Sequence, residues 1–244
     1  MNEEQWDRLS GLFEGREEVD GVPKGAADNV LIAWPPMMSL ILETFASIEG
    51  RKALDFGCGS GEFCTRLHAL GFTVTGFDTS AGMIASARRR LPEEIELESE
   101  LAAVVARGEE FDLITAIMVF PFIEDLEEIF RYLDRVLKPG GVFTFAVFNP
   151  GFIATLLEAG KIFKDFDSAV SPRVGVMELV EGVRIPVFLR EADEYRGLLE
   201  PMGYGELMRA SPPFTEDFLA RFPMDIPTRE PEFLVMGFRK KASN

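Results

Sequence analysis

Ala53-Leu54-Asp55-Phe56-Gly57-Cys58-Gly59-Ser60-Gly61-Glu62-Phe63 is an apolar run, then an acid, then three alternate glycines, then the opening of an amphipathic stretch. The apolar run reads as a short buried strand, and the glycines as a D-x-G-x-G-x-G loop that leads into a helix. Without side chains, Gly57, Gly59 and Gly61 let the backbone turn tightly and approach a ligand closely. Loops of this kind lie at the carboxyl ends of strands, where doubly wound sheets bind nucleotides. Asp78 lies some seventeen residues beyond Gly61 and closes the next apolar run. There it is placed to accept hydrogen bonds from two ribose hydroxyls. Two parts of one adenosine site are thereby predicted.

Outward from this stretch, residues 50–149 alternate short β-branched or aromatic runs with longer stretches of helical period, as βαβ units around a parallel sheet do. Strands are expected at 52–56, 73–77, 95–98, 111–118 and 141–148. Ser80 caps a helix through Leu91 whose last turn carries Arg88, Arg89 and Arg90 before Pro92 ends it. Asp125 and Glu128 open a second helix, along which Leu126, Ile129, Phe130, Leu133 and Leu137 form a buried stripe. Lys138-Pro139-Gly140-Gly141 stops it and turns the chain into the next strand. Before residue 50 a helix is expected over about 40–48, preceded by a loop containing Trp34-Pro35-Pro36. After residue 150 come a variable insert through 190, a helix bearing Tyr195, Leu198, Leu199 and Met202, and a final strand at 233–239.

Composition narrows the function. A chain of 244 residues, 47% hydrophobic, is long enough for one sizeable core, and a single domain over 1–244 is expected. Lys and Arg number 25 against 41 Asp and Glu, a net charge of -16 that repels phosphate backbones and anionic head groups, so neither nucleic acid nor membrane is an expected partner. The longest apolar candidate for a membrane span, 32–48, is interrupted by Glu43. Met1-Asn2-Glu3-Glu4 lacks a basic signal region. With Cys58 and Cys64 as the only cysteines, no disulfide framework or all-thiolate zinc site arises, no metal is expected, and a cytoplasmic location fits.

Taken in order, these elements resemble class I S-adenosylmethionine-dependent methyltransferases of the small-molecule type, over most of the chain. The resemblance is carried by Leu54 to Gly61, Gly76-Phe77-Asp78-Thr79-Ser80, Met83-Ile84, Phe111-Asp112-Leu113-Ile114, Leu137-Lys138-Pro139-Gly140-Gly141 and residues 231–240. It implies an α/β fold with a doubly wound, seven-stranded, mostly parallel sheet, an antiparallel last strand and helices on both faces. The implied layout is an N-terminal helical cover (1–49), a cofactor-binding core (50–149), a variable insert (150–190) and a C-terminal helix and strands (191–244). The implied cofactor is S-adenosyl-L-methionine. Gly57, Cys58, Gly59 and Gly61 would pack against its methionine and ribose, with Asp55 at the methionine end and Asp78 on the ribose. Thr79 and Met83 would flank the adenine, Glu100 and Leu101 would lie at its edge, and Ile117 would face it. Phe120 and Phe122 stand where many similar proteins carry histidines.

The implied function is methyl transfer to a small-molecule acceptor by in-line displacement, in a monomer or homodimer. Trp34, Phe122 and Tyr195 are candidates for the acceptor pocket, core packing being the competing role for Trp34 and Tyr195. No side chain is singled out as a catalytic base. His68, the only histidine, lies between Leu67 and Leu70 and reads as structural, and Asp112 reads as a support for the glycine loop rather than a catalyst. Two other functions compete: a non-catalytic S-adenosylmethionine-binding protein for regulation or assembly, and an NAD-dependent oxidoreductase. The second wants G-x-G-x-x-G, and position 62 is Glu.

Overall fold

The computed structural model describes residues 3–10, 18–108, 110–160, 162–167, 169–226 and 228–242. Residues 1–2 and 11–17 of the expected N-terminal cover lie outside the described residues. Helix α1 (Glu3–Leu9) is followed by a short hairpin of β1 (Glu18–Val19) and β2 (Val22–Pro23). A π-helical turn, Asn29–Ala33, runs directly into α2 (Trp34–Thr44). The expected helix at 40–48 is thus displaced toward the N-terminus. Pro35 and Pro36 occupy the first turn of α2, where missing N–H groups cost nothing, so the segment expected as a loop starts the helix.

The glycine-loop strand is β3 (Lys52–Phe56), followed by α3 (Glu62–Ala69), β4 (Thr73–Phe77), α4 (Ala81–Arg90), β5 (Glu96–Glu98) and α5 (Leu101–Ala106). Then come β6 (Phe111–Ile117), α6 (Leu126–Val136), β7 (Leu137–Phe148) and α7 (Pro150–Glu158). The insert forms a separate antiparallel sheet of β8 (Phe163–Asp167), β9 (Arg173–Val180) and β10 (Val183–Leu189). The chain ends with α8 (Ala192–Leu199), β11 (Tyr204–Ala210), α9 (Glu216–Arg221) and β12 (Phe233–Lys240). Residues 204–210 form a strand with no counterpart in the sequence reading. The expected turn at 138–141 is a bulge inside β7, across which the register with β6 shifts.

The seven-stranded sheet has the order β11-β12-β7-β6-β3-β4-β5, with β12 alone running against the rest. It is the doubly wound, mostly parallel sheet expected. Successive residues of its inner strands face opposite ways, so both faces need cover. Leu113, Val142, Ala146 and Val235 join one core with residues of α2, α3 and α7. Their neighbours Ile114, Phe143, Val147 and Met236 join another with residues of α6 and α8. Helix α6 starts where Asp125 Oδ1 accepts from the Glu128 amide (3.0 Å), and α4 where Ser80 Oγ accepts from the Met83 amide (3.1 Å).

Antiparallel β12 places its first residues at the carboxyl edge of the parallel strands, beside the end of β7; Phe233 pairs with Phe148. Residues from the ends of β3, β4, β6 and β7 and from the start of β12 therefore converge on one side of the sheet.

Candidate active site

At that edge lies a cavity of about 410 Å³, a size usual for small-molecule sites. Its floor is the glycine loop. The amides of Gly57 and Cys58 both donate to the Phe77 carbonyl (2.7 and 2.8 Å), and the Gly59 amide donates to Asp78 Oδ2 (2.9 Å). Asp78 Oδ1 accepts from the Ser80 amide (2.9 Å), so one carboxylate fastens the loop to the start of α4. Burial pushes its pKa above the usual carboxylate range. A Cβ on Gly57 (φ +75°) would lie 2.2 Å from Val119 Cγ2. One on Gly59 (φ +55°) would meet no protein atom within 4 Å, because this residue borders the cavity. The loop thus presents bare backbone to whatever the cavity holds.

Asp55, at the end of β3, is buried. Thr115 Oγ1 donates to its Oδ1 (2.7 Å) and the Cys64 thiol to its Oδ2 (3.4 Å). Burial pushes the carboxyl up to about 6, with the negative charges of Asp78 and Glu62 adding to the rise. Cys58 and Cys64 sit side by side against Gly76 and are both buried free thiols. Their pKa values are raised, so they pack rather than attack.

Asp55, Gly57, Cys58, Gly59, Asp78, Thr79, Met83 and Ile117 line this one cavity, together with Trp34 and Phe122 of the acceptor-pocket candidates. The other named residues lie elsewhere. Gly61 is the left-handed residue (φ +87°) that starts α3, and a Cβ there would press on Leu91. Glu100 is exposed at the start of α5, and Leu101 packs into the core beyond it, so neither reaches the cavity. β5 is only three residues long, and the chain turns into α5 at Leu101 before it can reach the cavity. Tyr195 is 1% exposed and packs on Phe145 (ring centroids 5.2 Å apart) on the opposite face of the sheet. It belongs to the core, not to the acceptor pocket. His68 lies on the partly exposed outer side of α3. Asp112 accepts from Arg51 (2.9 Å), Lys138 (2.8 Å) and the Lys52 amide (3.0 Å). It ties strand beginnings together at the amino edge, and so does not support the glycine loop.

The sequence reading missed several lining residues that arrive from distant segments. Trp6 of α1 meets Phe122 edge to face (centroids 4.9 Å apart), while Asp7 Oδ1 accepts from Ser80 Oγ (2.5 Å) and the Gly82 amide (3.0 Å). Asp28 and Asn29 enter from the π-helical turn, Ile162, Met177 and Leu179 from the insert, and Glu232 from the start of β12. Buried Arg190 donates to the carbonyls of Phe120 (3.4 Å), Ile123 (3.1 Å) and Glu124 (2.5 Å), fixing the segment that carries Phe122. A π-helical turn is a recurrent mark of a functional site but has no sequence signature.

A methyltransferase-domain family model matches residues 54–145, the span holding the glycine loop, Asp55, Asp78 and Ile117. Residues 54–145 thus carry a methyltransferase domain. The chain is 29% identical over 155 residues to a ubiquinone biosynthesis O-methyltransferase of Pseudomonas putida (strain W619), covering 57% of the chain and 67% of the relative. It is 30% identical over 108 residues to a malonyl-[acyl-carrier protein] O-methyltransferase of Enterobacter lignolyticus, covering 44% and 43%. The matches thus span from under half to about two thirds of these relatives' length. In fold, the chain is similar to an S-adenosylmethionine-dependent methyltransferase from Mesorhizobium loti, with a TM-score of 0.65, 24% identity and 88% and 99% of the two chains covered. The bare backbone at Gly59, with the buried Asp55 and the half-buried Asp78 beside it, suits a ligand bearing an ammonium and ribose hydroxyls. No helix among the described residues is long and apolar enough to cross a membrane.

Proposed function

We propose that the chain transfers the methyl group of S-adenosylmethionine to a small-molecule acceptor lying in the apolar half of the cavity. The observation that carries this reading is continuity. The loop end, with Asp55, Gly59 and Asp78, opens without a break into walls made by Trp34, Phe122, Phe148, Met177 and Phe233. In this reading Asp55 faces the ammonium of the cofactor's methionine, Asp78 accepts from the ribose, Thr79 and Met83 flank the adenine, and Ile117 abuts the reacting end. When bound, the cofactor supplies an electrophilic methyl on a sulfonium, whose leaving group is a neutral thioether. The protein's task is then alignment in a dry space, a contribution on the order of 7 to 11 kcal/mol when geometry is good. Trp34, Phe122 and Phe148 exclude water and hold the acceptor against the cofactor. The two relatives are named as O-methyltransferases for unlike acceptors, so the acceptor is read from this cavity instead.

The test is transfer of isotope-labelled methyl from S-adenosylmethionine into a metabolite extract, alongside calorimetry with S-adenosylhomocysteine. Labelled product together with bound S-adenosylhomocysteine supports the reading. Binding without transfer leaves the regulatory-protein alternative in its place, and absence of binding removes both.

A further inference from the structure

The cavity contains a second acidic centre that the cofactor reading leaves unused. Glu232 is 9% exposed, its Oε2 is fully buried, and this atom has no hydrogen-bond partner. Asn29 Oδ1 is likewise buried without a partner, and Asp28 stands beside it, its Oδ1 accepting from the Asn29 amide (2.8 Å). Asp28, Asn29 and Glu232 all border the cavity on the side of Trp34 and Phe233, while Asp55 and Asp78 are in the glycine-loop part. The charged residues lining the cavity are Asp28, Asp55, Glu62, Asp78 and Glu232, and among the described lining residues there is no Lys, Arg or His.

An orphaned buried acceptor is costly, more so if charged, so its retention in this wall points to a ligand that satisfies it. Burial and the nearby charge of Asp28 push the Glu232 carboxyl up to about 9. A cation placed between the two acids would relieve both effects, whereas an anion would worsen them.

Resting on the function proposed above, we infer that Glu232 and Asp28 form the recognition site for a protonated amine on the methyl acceptor. The amine's N–H groups donate to Glu232 Oε2 and Asn29 Oδ1, and its apolar body lies against Trp34, Phe122 and Phe148. A carboxylate- or phosphate-bearing acceptor would find no Lys, Arg or His among the described lining residues to hold it. Recognition alone is assigned to the pair: it selects and orients the acceptor and breaks no bond.

The experiment is calorimetry on the full chain saturated with S-adenosylhomocysteine, using three probes of one shape: 2-phenylethylamine, 2-phenylethanol and 3-phenylpropanoate. The amine is expected to bind about tenfold or more tighter than the alcohol, with the anion weakest. Glu232→Gln and Asp28→Asn should each weaken the amine about tenfold while leaving the alcohol and S-adenosylhomocysteine within about twofold. Equal binding of amine and alcohol, no amine binding at 10 mM (about a 3 kcal/mol limit), or an amine affinity unmoved by both variants overturns the inference while S-adenosylhomocysteine binding keeps the cofactor reading intact. Failure of S-adenosylhomocysteine to bind overturns both. The probe series on the unaltered chain decides the matter even if a variant does not fold.

Discussion

Val119 Cγ2 fills the space in which a Cβ on Gly57 would lie, 2.2 Å from its ideal position. The glycine is therefore required twice, by its left-handed backbone (φ +75°) and by Val119, two residues beyond the end of β6. Loop and β6 terminus are built as one fitted pair at the cavity floor.

Gly57→Ala should consequently destabilise the chain by about 2 to 4 kcal/mol, the sum of a left-handed alanine and an overpacked contact. Val119→Ala added to it should recover part of that loss by emptying the contested space. Urea unfolding of the single and double variants measures this, and a Gly57→Ala cost below about 0.5 kcal/mol would contradict the geometry.

Asp78 holds the amides of Gly59 and Ser80 with its two oxygens. Asp78→Ala leaves both donors without their acceptor, and the loop loses its anchor as well as its proposed ribose contact. Affinity for S-adenosylhomocysteine should fall about 10- to 100-fold, with Asp78→Asn in between. Calorimetry showing an alanine variant as tight as the parent would remove Asp78 from the site.

Asp55 is a buried acid raised from 3.8 to about 6. Because the folded-state value exceeds the unfolded one, the folded chain binds the extra proton between these limits. Its contribution is thus unfavourable above pH 6 and relieved as pH falls toward 3.8, worth about 2 to 3 kcal/mol at most. Asp55→Asn should accordingly be more stable than the parent at pH 7, by an amount that shrinks toward pH 4, yet bind S-adenosylhomocysteine more weakly. Thermal unfolding at a series of pH values checks the sign; parallel curves for the two proteins would refute it.

Asp112 supplies the opposite case. Burial alone would raise it, but Lys138, the Lys52 amide and Arg51 outweigh that and hold it below the usual range. Its stabilisation is present above its ordinary pKa and is lost as pH drops through the lower folded value. Since both cationic partners are more than a third exposed, Asp112→Ala should cost only about 1 to 2 kcal/mol. Cofactor affinity should stay unchanged, because this cluster sits at the amino edge; a large loss of affinity would show that the two edges are coupled.

What the sequence determined by itself was the local half of the site. A strand followed by alternate glycines, an acid ending the next strand, and caps at Ser80 and Asp125 are short-range features, so Asp55, Gly57, Gly59 and Asp78 were legible as neighbours in one site, to which the family resemblance added Met83, and all five line one cavity. The alternation of short β-branched or aromatic runs with stretches of helical period likewise declared a parallel sheet, since its causes lie within a few residues of chain. Only the tertiary structure decided which remote residues close the cavity. Tyr195 and Trp34 are both aromatic and buried, yet opposite faces of the sheet send one to the core and the other to the cavity. Glu232 looks like any acid before a strand; it becomes a buried, unpartnered group because β12 inserts antiparallel and delivers its first residues to the carboxyl edge, opposite Asp28. Such meetings depend on topology and long-range packing, which no local pattern of residues encodes.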